Sequence, residues 1–231
     1  MKIAHISLEN ILEFDESRMI SWVFEDPQVY YQYVQELSKQ TQGELGNFVV
    51  SDKGKSLKCD SDVQMIIGPF DIALNSKKIS TLITKKLLKV AVENSDVLKF
   101  KQVSKSVSDY IFDLLQESNL PVEMDELEEN DLIKAVLIKT KESDKFIENL
   151  TNYIDLILNL SSTKLLVLVD ITPYIDLEYF DKFINFLMYQ DINVLFVDFM
   201  KQDKMHTFAK TYFLDSDKCE FIYSKDTFVT K

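Results

Sequence analysis

Gly54, Lys55 and Ser56 are of the types that close a phosphate-binding loop. In that loop, G-x-x-x-x-G-K-[ST], main-chain N–H groups cradle phosphate oxygens, and the lysine and hydroxyl serve the terminal phosphates and their magnesium. The first glycine belongs five residues before Gly54. Val49 stands there, inside a strand-like run. Leu57, Cys59 and the stretch from Asp62 to Ile67 read as a second extended segment rather than a helix start. The spacing therefore predicts a turn between two strands, with Gly54 at a positive-φ position.

Two carboxylates have a catalytic placement. Asp170 ends the apolar run LLVLVD and Asp198 ends VLFVD. Carboxyl ends of strands are where α/β sheets bind ligands, and a phosphate-loop hydrolase holds its magnesium there. Without the glycine loop, the simpler reading is that each aspartate ends a buried strand. His5 and His206 are the only histidines, in neither H-x-x-x-H nor H-E-x-x-H spacing, so zinc catalysis has no support. There is no G-x-S-x-G, and neither cysteine, Cys59 or Cys219, neighbours a histidine in sequence.

Two charge patterns suit binding. Glu123, Asp125, Glu126, Glu128, Glu129 and Asp131 fall within EMDELEEND. Hard oxygen ligands at this density suit calcium, although the twelve-residue calcium loop is not matched. The alternative is a solvated acidic helix start. Lys78, Lys85 and Lys89 recur on one face of a predicted helix, and Lys134 and Lys139 follow the acidic stretch. They read either as a solvated face or as a rail for a DNA backbone.

The elements that must carry these residues change character along the chain. The start is β: KIAHISL, then ISWVFED. A helix follows with Tyr30, Tyr33, Val34 and Leu37 on one face, a spacing that favours core packing over a base-stacking platform. Residues 75–161 hold four amphipathic helical patterns, including a short one from near Asp125 and one from Ser143. After Ser162, KLLVLVD, a helix, NVLFVDF and CEFIYS imply a parallel sheet covered on both faces. We expect an α/β head built from both chain ends, residues 1–74 and 142–231, with a helical leg at 75–141 inserted between them.

Composition narrows the functional classes. The 231 residues are 46% hydrophobic with 4 Gly and 4 Pro, which suits long regular elements. No apolar run is of membrane-spanning length and MKIAHISLEN lacks a secretory core, so a soluble cytoplasmic protein is expected. Net charge is −12, with Arg18 the only arginine. Arginine is the usual bidentate reader of guanine, so DNA binding here would grip phosphate and ignore sequence.

SLKCDSDVQMIIG before the helical insertion, PVEMDELEENDLIKA within it, and KLLVLVDITPYI with NVLFVD after it occur in an order that resembles the Csn-family adaptation protein of type II-A CRISPR systems. The resemblance covers nearly the whole chain. It implies an ATPase-like α/β head with a helical leg and no working phosphate loop. It implies a ring-shaped homotetramer, supported by calcium, that takes double-stranded DNA ends through its hole without sequence preference. It places the protein in spacer acquisition, beside the integrase subunits and the RNA-guided effector nuclease, with no catalysis of its own. The family's metal-binding region falls on EMDELEEND, so Glu123, Asp125 and Glu126 are implied ligands, with Glu128 and Asp131 following. Two other readings stay open: a degenerate nucleotide-binding protein with residual magnesium-dependent hydrolysis at Asp170, and an acidic scaffold that binds only proteins.

Overall fold

The computed structural model describes residues 1–14, 16, 18–93, 97–118, 120–136, 138–199 and 208–223. His206 lies outside them. The elements run β1 (Lys2–His5), β2 (Leu12–Glu13), β3 (Met19–Phe24), α1 (Pro27–Thr41), β4 (Phe48–Asp52), β5 (Lys55–Ser56), α2 (Cys59–Asp62) and β6 (Val63–Ile67). Next come α3 (Lys77–Glu93), α4 (Val97–Ser118), α5 (Glu129–Ala135) and α6 (Phe146–Leu160). β7 (Leu165–Val169), α7 (Leu177–Tyr189), β8 (Asn193–Phe199), β9 (Lys210–Leu214) and β10 (Glu220–Tyr223) complete the order. The chain divides into two compact units: Met1–Ala73 with Glu142–Lys231, and Leu74–Lys141.

The first unit is α/β. Its larger sheet has the order β10-β9-β3-β8-β7-β6, parallel from β9 to β6. β7 reads LLVLV and every residue of it is buried, as a strand covered on both faces must be. Leu165, Val167 and Val169 share one core with Trp22, Phe24, Leu195, Val197 and Leu37 of α1. Leu166, Leu168, Val194 and Phe196 alternate to the opposite face and are equally buried. That face needs a second layer, and the buried stripes of α6 (Leu150, Ile154, Ile157) and α7 (Phe180, Phe183, Leu187) supply it. α1 starts where Asp26 Oδ1 accepts N–H groups from Gln28 and Val29, with Pro27 in its first turn.

Several details depart from the sequence reading. β1 does not join the large sheet. It forms an antiparallel sheet of its own, in the order β2-β1-β4-β5. CEFIYS yields β10, but paired antiparallel to β9, with Phe221 and Ile222 exposed. β9 (KTYFL) begins with a charged and a polar residue and lies outside the apolar runs read as strands. Cys59–Asp62 is a single helical turn, so the extended chain after the turn divides into β5 and β6.

The second unit is helical. Asn75 and Thr140 clamp its two ends: Thr140 N–H donates to Asn75 Oδ1 at 2.8 Å, and Asn75 Nδ2 donates to Thr140 O at 3.1 Å. α3 and α4 each approach α5. Among the described residues of this unit only Leu74 and Ile79 are buried. α4 buries none of its described side chains, and Val103, Tyr110, Phe112 and Leu114 are exposed.

Candidate functional site

The fragment Gly54-Lys55-Ser56 is a hairpin turn. Asp52 pairs with Lys55 and Ser51 with Ser56, leaving Lys53 and Gly54 as the two loop residues. Both have positive φ, 47° and 77°, as a type I′ turn requires. Val49 lies within β4, and Lys55 and Ser56 are exposed in β5. No long helix begins there to aim N–H groups at a phosphate, so the residue types of the loop are present without its geometry.

Asp170 and Asp198 do stand at the carboxyl ends of neighbouring strands. Asp170 leaves β7 with φ 48°, a left-handed conformation that aspartate tolerates, and its N–H donates to Val197 O at 2.9 Å. Its carboxylate is occupied by the protein: Oδ1 accepts Phe199 N–H at 3.2 Å, and Oδ2 accepts the Tyr30 hydroxyl at 2.5 Å. Burial, the Asp170 hydrogen bond and the charges of Asp170 and Asp198 push the Tyr30 phenol far above its ordinary ionisation range. Asp198 is 1% exposed, and its Oδ1 accepts the Thr172 hydroxyl at 2.7 Å. Both oxygens of Asp170 thus accept a hydrogen bond from the protein itself.

The two tyrosines that sequence spacing placed on a helix face pack as side chains of the core. Tyr33 contacts His5, Trp22, Phe24 and Phe48, and Tyr30 contacts Phe24 and Phe199. His5 is nearly buried and approaches Glu36 Oε2 at 3.2 Å, while Ser7 N–H donates to its Nδ1 at 3.1 Å. Glu36 Oε1 accepts both the main-chain and side-chain N–H of Asn47. Burial opposes ionisation of Glu36, but the Asn47 donors and His5 outweigh it and hold the carboxyl below its usual range.

In the second unit Lys78, Lys85 and Lys89 are all exposed on α3. They lie seven and eleven residues apart, about two and three turns, and therefore share one side of the helix. Lys89 also pairs with Glu93 at 3.8 Å. Lys134, in the last turn of α5, and Lys139 are exposed as well. Glu123, Asp125 and Glu126 lie exposed in the irregular stretch before α5. Glu128 and Asp131 also take part in a helix start. Glu128 caps α5, and its N–H donates to Asp131 Oδ2 at 3.2 Å, a reciprocal capping box. Among the described residues no three His, Cys, Asp or Glu side chains gather as a metal site.

A division of charge runs through the second unit that local motifs do not show. Residues 74–105 hold 8 lysines and 2 acids, whereas residues 106–131 hold 9 acids and no lysine. Lys99, Lys101 and Lys105, exposed on the first half of α4, extend the basic part. Tyr30 and Thr172 as partners of the two aspartates were missed, since nothing local marks contacts across 140 and 26 residues.

A family model described as CRISPR-associated protein (Cas_Csn2) matches residues 40–218. No curated protein matches the chain. The matched span contains the β4–β5 hairpin, the whole second unit and the strands that end in Asp170 and Asp198.

Proposed function

Because the chain belongs to the Cas_Csn2 family of CRISPR-associated proteins, a type II-A adaptation family, we propose that it is a non-catalytic, ring-forming protein. It holds the ends of double-stranded DNA without regard to sequence during spacer acquisition. The family match carries this reading, and three features of the chain support it.

The first is the disposition of charge. Lys78 to Lys89 spans about 16 Å of helix at 1.5 Å per residue, and duplex DNA presents a charge about every 1.7 Å of its axis. A lysine is a point charge without the arginine fork, so it grips phosphate and reads no base edge. Leu74–Lys141 carries 11 lysines and 11 acids, so the whole −12 falls on the other unit. At physiological salt screening acts over about 8 Å, and the local lysine face governs what a phosphate feels.

The second is α4, a 22-residue helix that leaves Val103, Tyr110 and Leu114 exposed on one side and is basic in its first half and acidic in its second. Such a face suits burial against further copies of the chain, as a homotetrameric ring requires. The third is the closed state of Asp170 under Tyr30, which suits an ATPase-like head that performs no hydrolysis.

Calcium is the proposed ligand of Glu123, Asp125 and Glu126. Their donor chemistry fits a hard cation, and the irregular stretch that carries them can be drawn together by one. Calcium would supply charge neutralisation there and support the ring. The partners in this reading are the integrase subunits and the RNA-guided effector nuclease of the same system.

The test is to size the protein in calcium and in chelator, then add blunt linear duplex or covalently closed circles. A ring that threads ends retains linear duplex and fails to load circles stably. Equal, persistent loading on both substrates overturns the threaded ring.

A further inference from the structure

The six-stranded sheet ends at β6, whose strand neighbour among the described residues is β7. In a parallel strand the N–H and C=O of one residue point to the same side, and those of the next point to the other. Gly68 N–H donates to Val169 O at 2.8 Å, so Gly68, Ile66 and Gln64 direct their main-chain groups to β7. Met65 and Ile67 direct theirs to the outer edge. Such an edge is a template for another strand, and this one has Ile67 and Phe70 exposed beside it.

The chain's own side chains occupy that edge. Gln64 Nε2 donates to Met65 O at 3.0 Å. Ile67 N–H donates to Asp71 Oδ2 at 2.9 Å. The second contact depends on the turn after the strand. Gly68, at φ 66°, bends the chain into the 3-10 turn Pro69–Asp71, and the carboxylate four residues on returns to Ile67.

We propose that Gln64 and Asp71 shut the β6 edge against strand addition, so that copies of this chain cannot join by extending the sheet through it. This end of the six-stranded sheet is thereby closed to a further strand. The inference is independent of DNA binding and of calcium.

Amide exchange and sedimentation test it together. In Asp71→Ala the Ile67 amide should exchange about tenfold faster, having lost a charge-assisted acceptor. The Gly68 amide, held by Val169, should stay slow. Asp71→Asn keeps an acceptor oxygen and should keep Ile67 protected. The double variant Gln64→Ala/Asp71→Ala, with wild-type circular dichroism, should form a concentration-dependent species larger than any wild-type state. Adding Met65→Pro should abolish that species, because this N–H faces outward and its loss removes no bond to β7. Unchanged exchange of Ile67 in Asp71→Ala overturns the proposal. So does a double variant that sediments as wild type, or a larger species that survives Met65→Pro.

Discussion

The phenolic hydroxyl of Tyr30, on the first helix, donates to Oδ2 of Asp170, at the end of a central strand, across 2.5 Å. This hydrogen bond joins residues 140 positions apart.

Tyr30→Phe should destabilise the protein by about 1–3 kcal/mol, because the partly buried carboxylate loses one of its two donors. The pH dependence has a definite sign. The folded pKa of Tyr30 is raised, so the unfolded chain releases this proton first as pH climbs past about 10. The stabilisation is fully present below that value and declines above it, toward the folded pKa. Wild type should lose about 1.4 kcal/mol per pH unit more than Tyr30→Phe in that window. Urea melts from neutral to alkaline pH would show it, and parallel curves for the two proteins would contradict the assignment.

ATP should not be turned over. Val49 lies in a strand and Gly54 in a type I′ turn, so no phosphate cradle forms at this fragment. Opening the carboxylate with Tyr30→Phe should not restore hydrolysis. Steady-state turnover that Asp170→Ala abolishes would instead establish the nucleotide-hydrolase reading.

Asp62 is set up for the opposite pH limb. Its Oδ2 accepts Lys58 N–H at 2.9 Å and its Oδ1 pairs with Lys164 Nζ at 3.0 Å. These partners, the Lys58 amide foremost, hold its carboxyl below the ordinary range although burial pushes the other way. A lowered folded pKa contributes stability above the unfolded value, near 3.9, and loses it as pH falls through the folded one. Asp62→Asn should therefore be less stable than wild type by about 1 kcal/mol at neutral pH, a figure moderated by the half-exposed lysine. The two denaturation midpoints should converge in acid. A gap that persists below the folded pKa would place the effect elsewhere.

Sequence reading succeeded where the signal is local. LLVLV and VLFV become central strands because every residue in them is apolar, and the Gly54 turn follows from a glycine between two polar neighbours. It failed where the answer lies in partner choice. The alternation of KIAHISL shows that one side is buried, not against which sheet, and β1 pairs with β4 rather than β3. KTYFL lacks the continuous apolar run of a buried strand, yet it lies beside β3 in the sheet. Within the second unit the helices were readable from their period, whereas the separation of lysines from acids needed a count over tens of residues. Composition likewise does not reveal the capping box that Glu128 and Asp131 form.

Replacing Lys78, Lys85 and Lys89 with alanine should weaken duplex binding evenly across sequences. Each lost phosphate contact should also reduce the slope of log affinity against log salt by about 0.9. The same change at Lys99, Lys101 and Lys105 should act in the same direction if the basic part of the second unit works as one face. Fluorescence anisotropy on two unrelated duplexes at several salt concentrations would decide it. A change in affinity with an unchanged salt slope would mean that these lysines do not touch phosphate.

The final expectation concerns Glu123, Asp125 and Glu126. Three carboxylates drawn around a calcium ion repel one another when it is removed. At an effective dielectric near 20, two of them about 4 Å apart repel by about 4 kcal/mol before relaxation. The segment should then open, and any contacts between copies that it supports should loosen. Glu128 and Asp131 should respond differently, because they are committed to the start of α5. Replacing Glu123, Asp125 and Glu126 together with alanine should remove calcium binding and leave the α/β unit folded. Glu128→Ala should instead weaken the short helix by about 1 kcal/mol while calcium still binds. Sedimentation and calcium titration of both variants beside wild type, in calcium and in chelator, separate the two roles. If wild type keeps its mass and its DNA affinity in chelator, calcium does not support the assembly, and the acidic stretch is a solvated face.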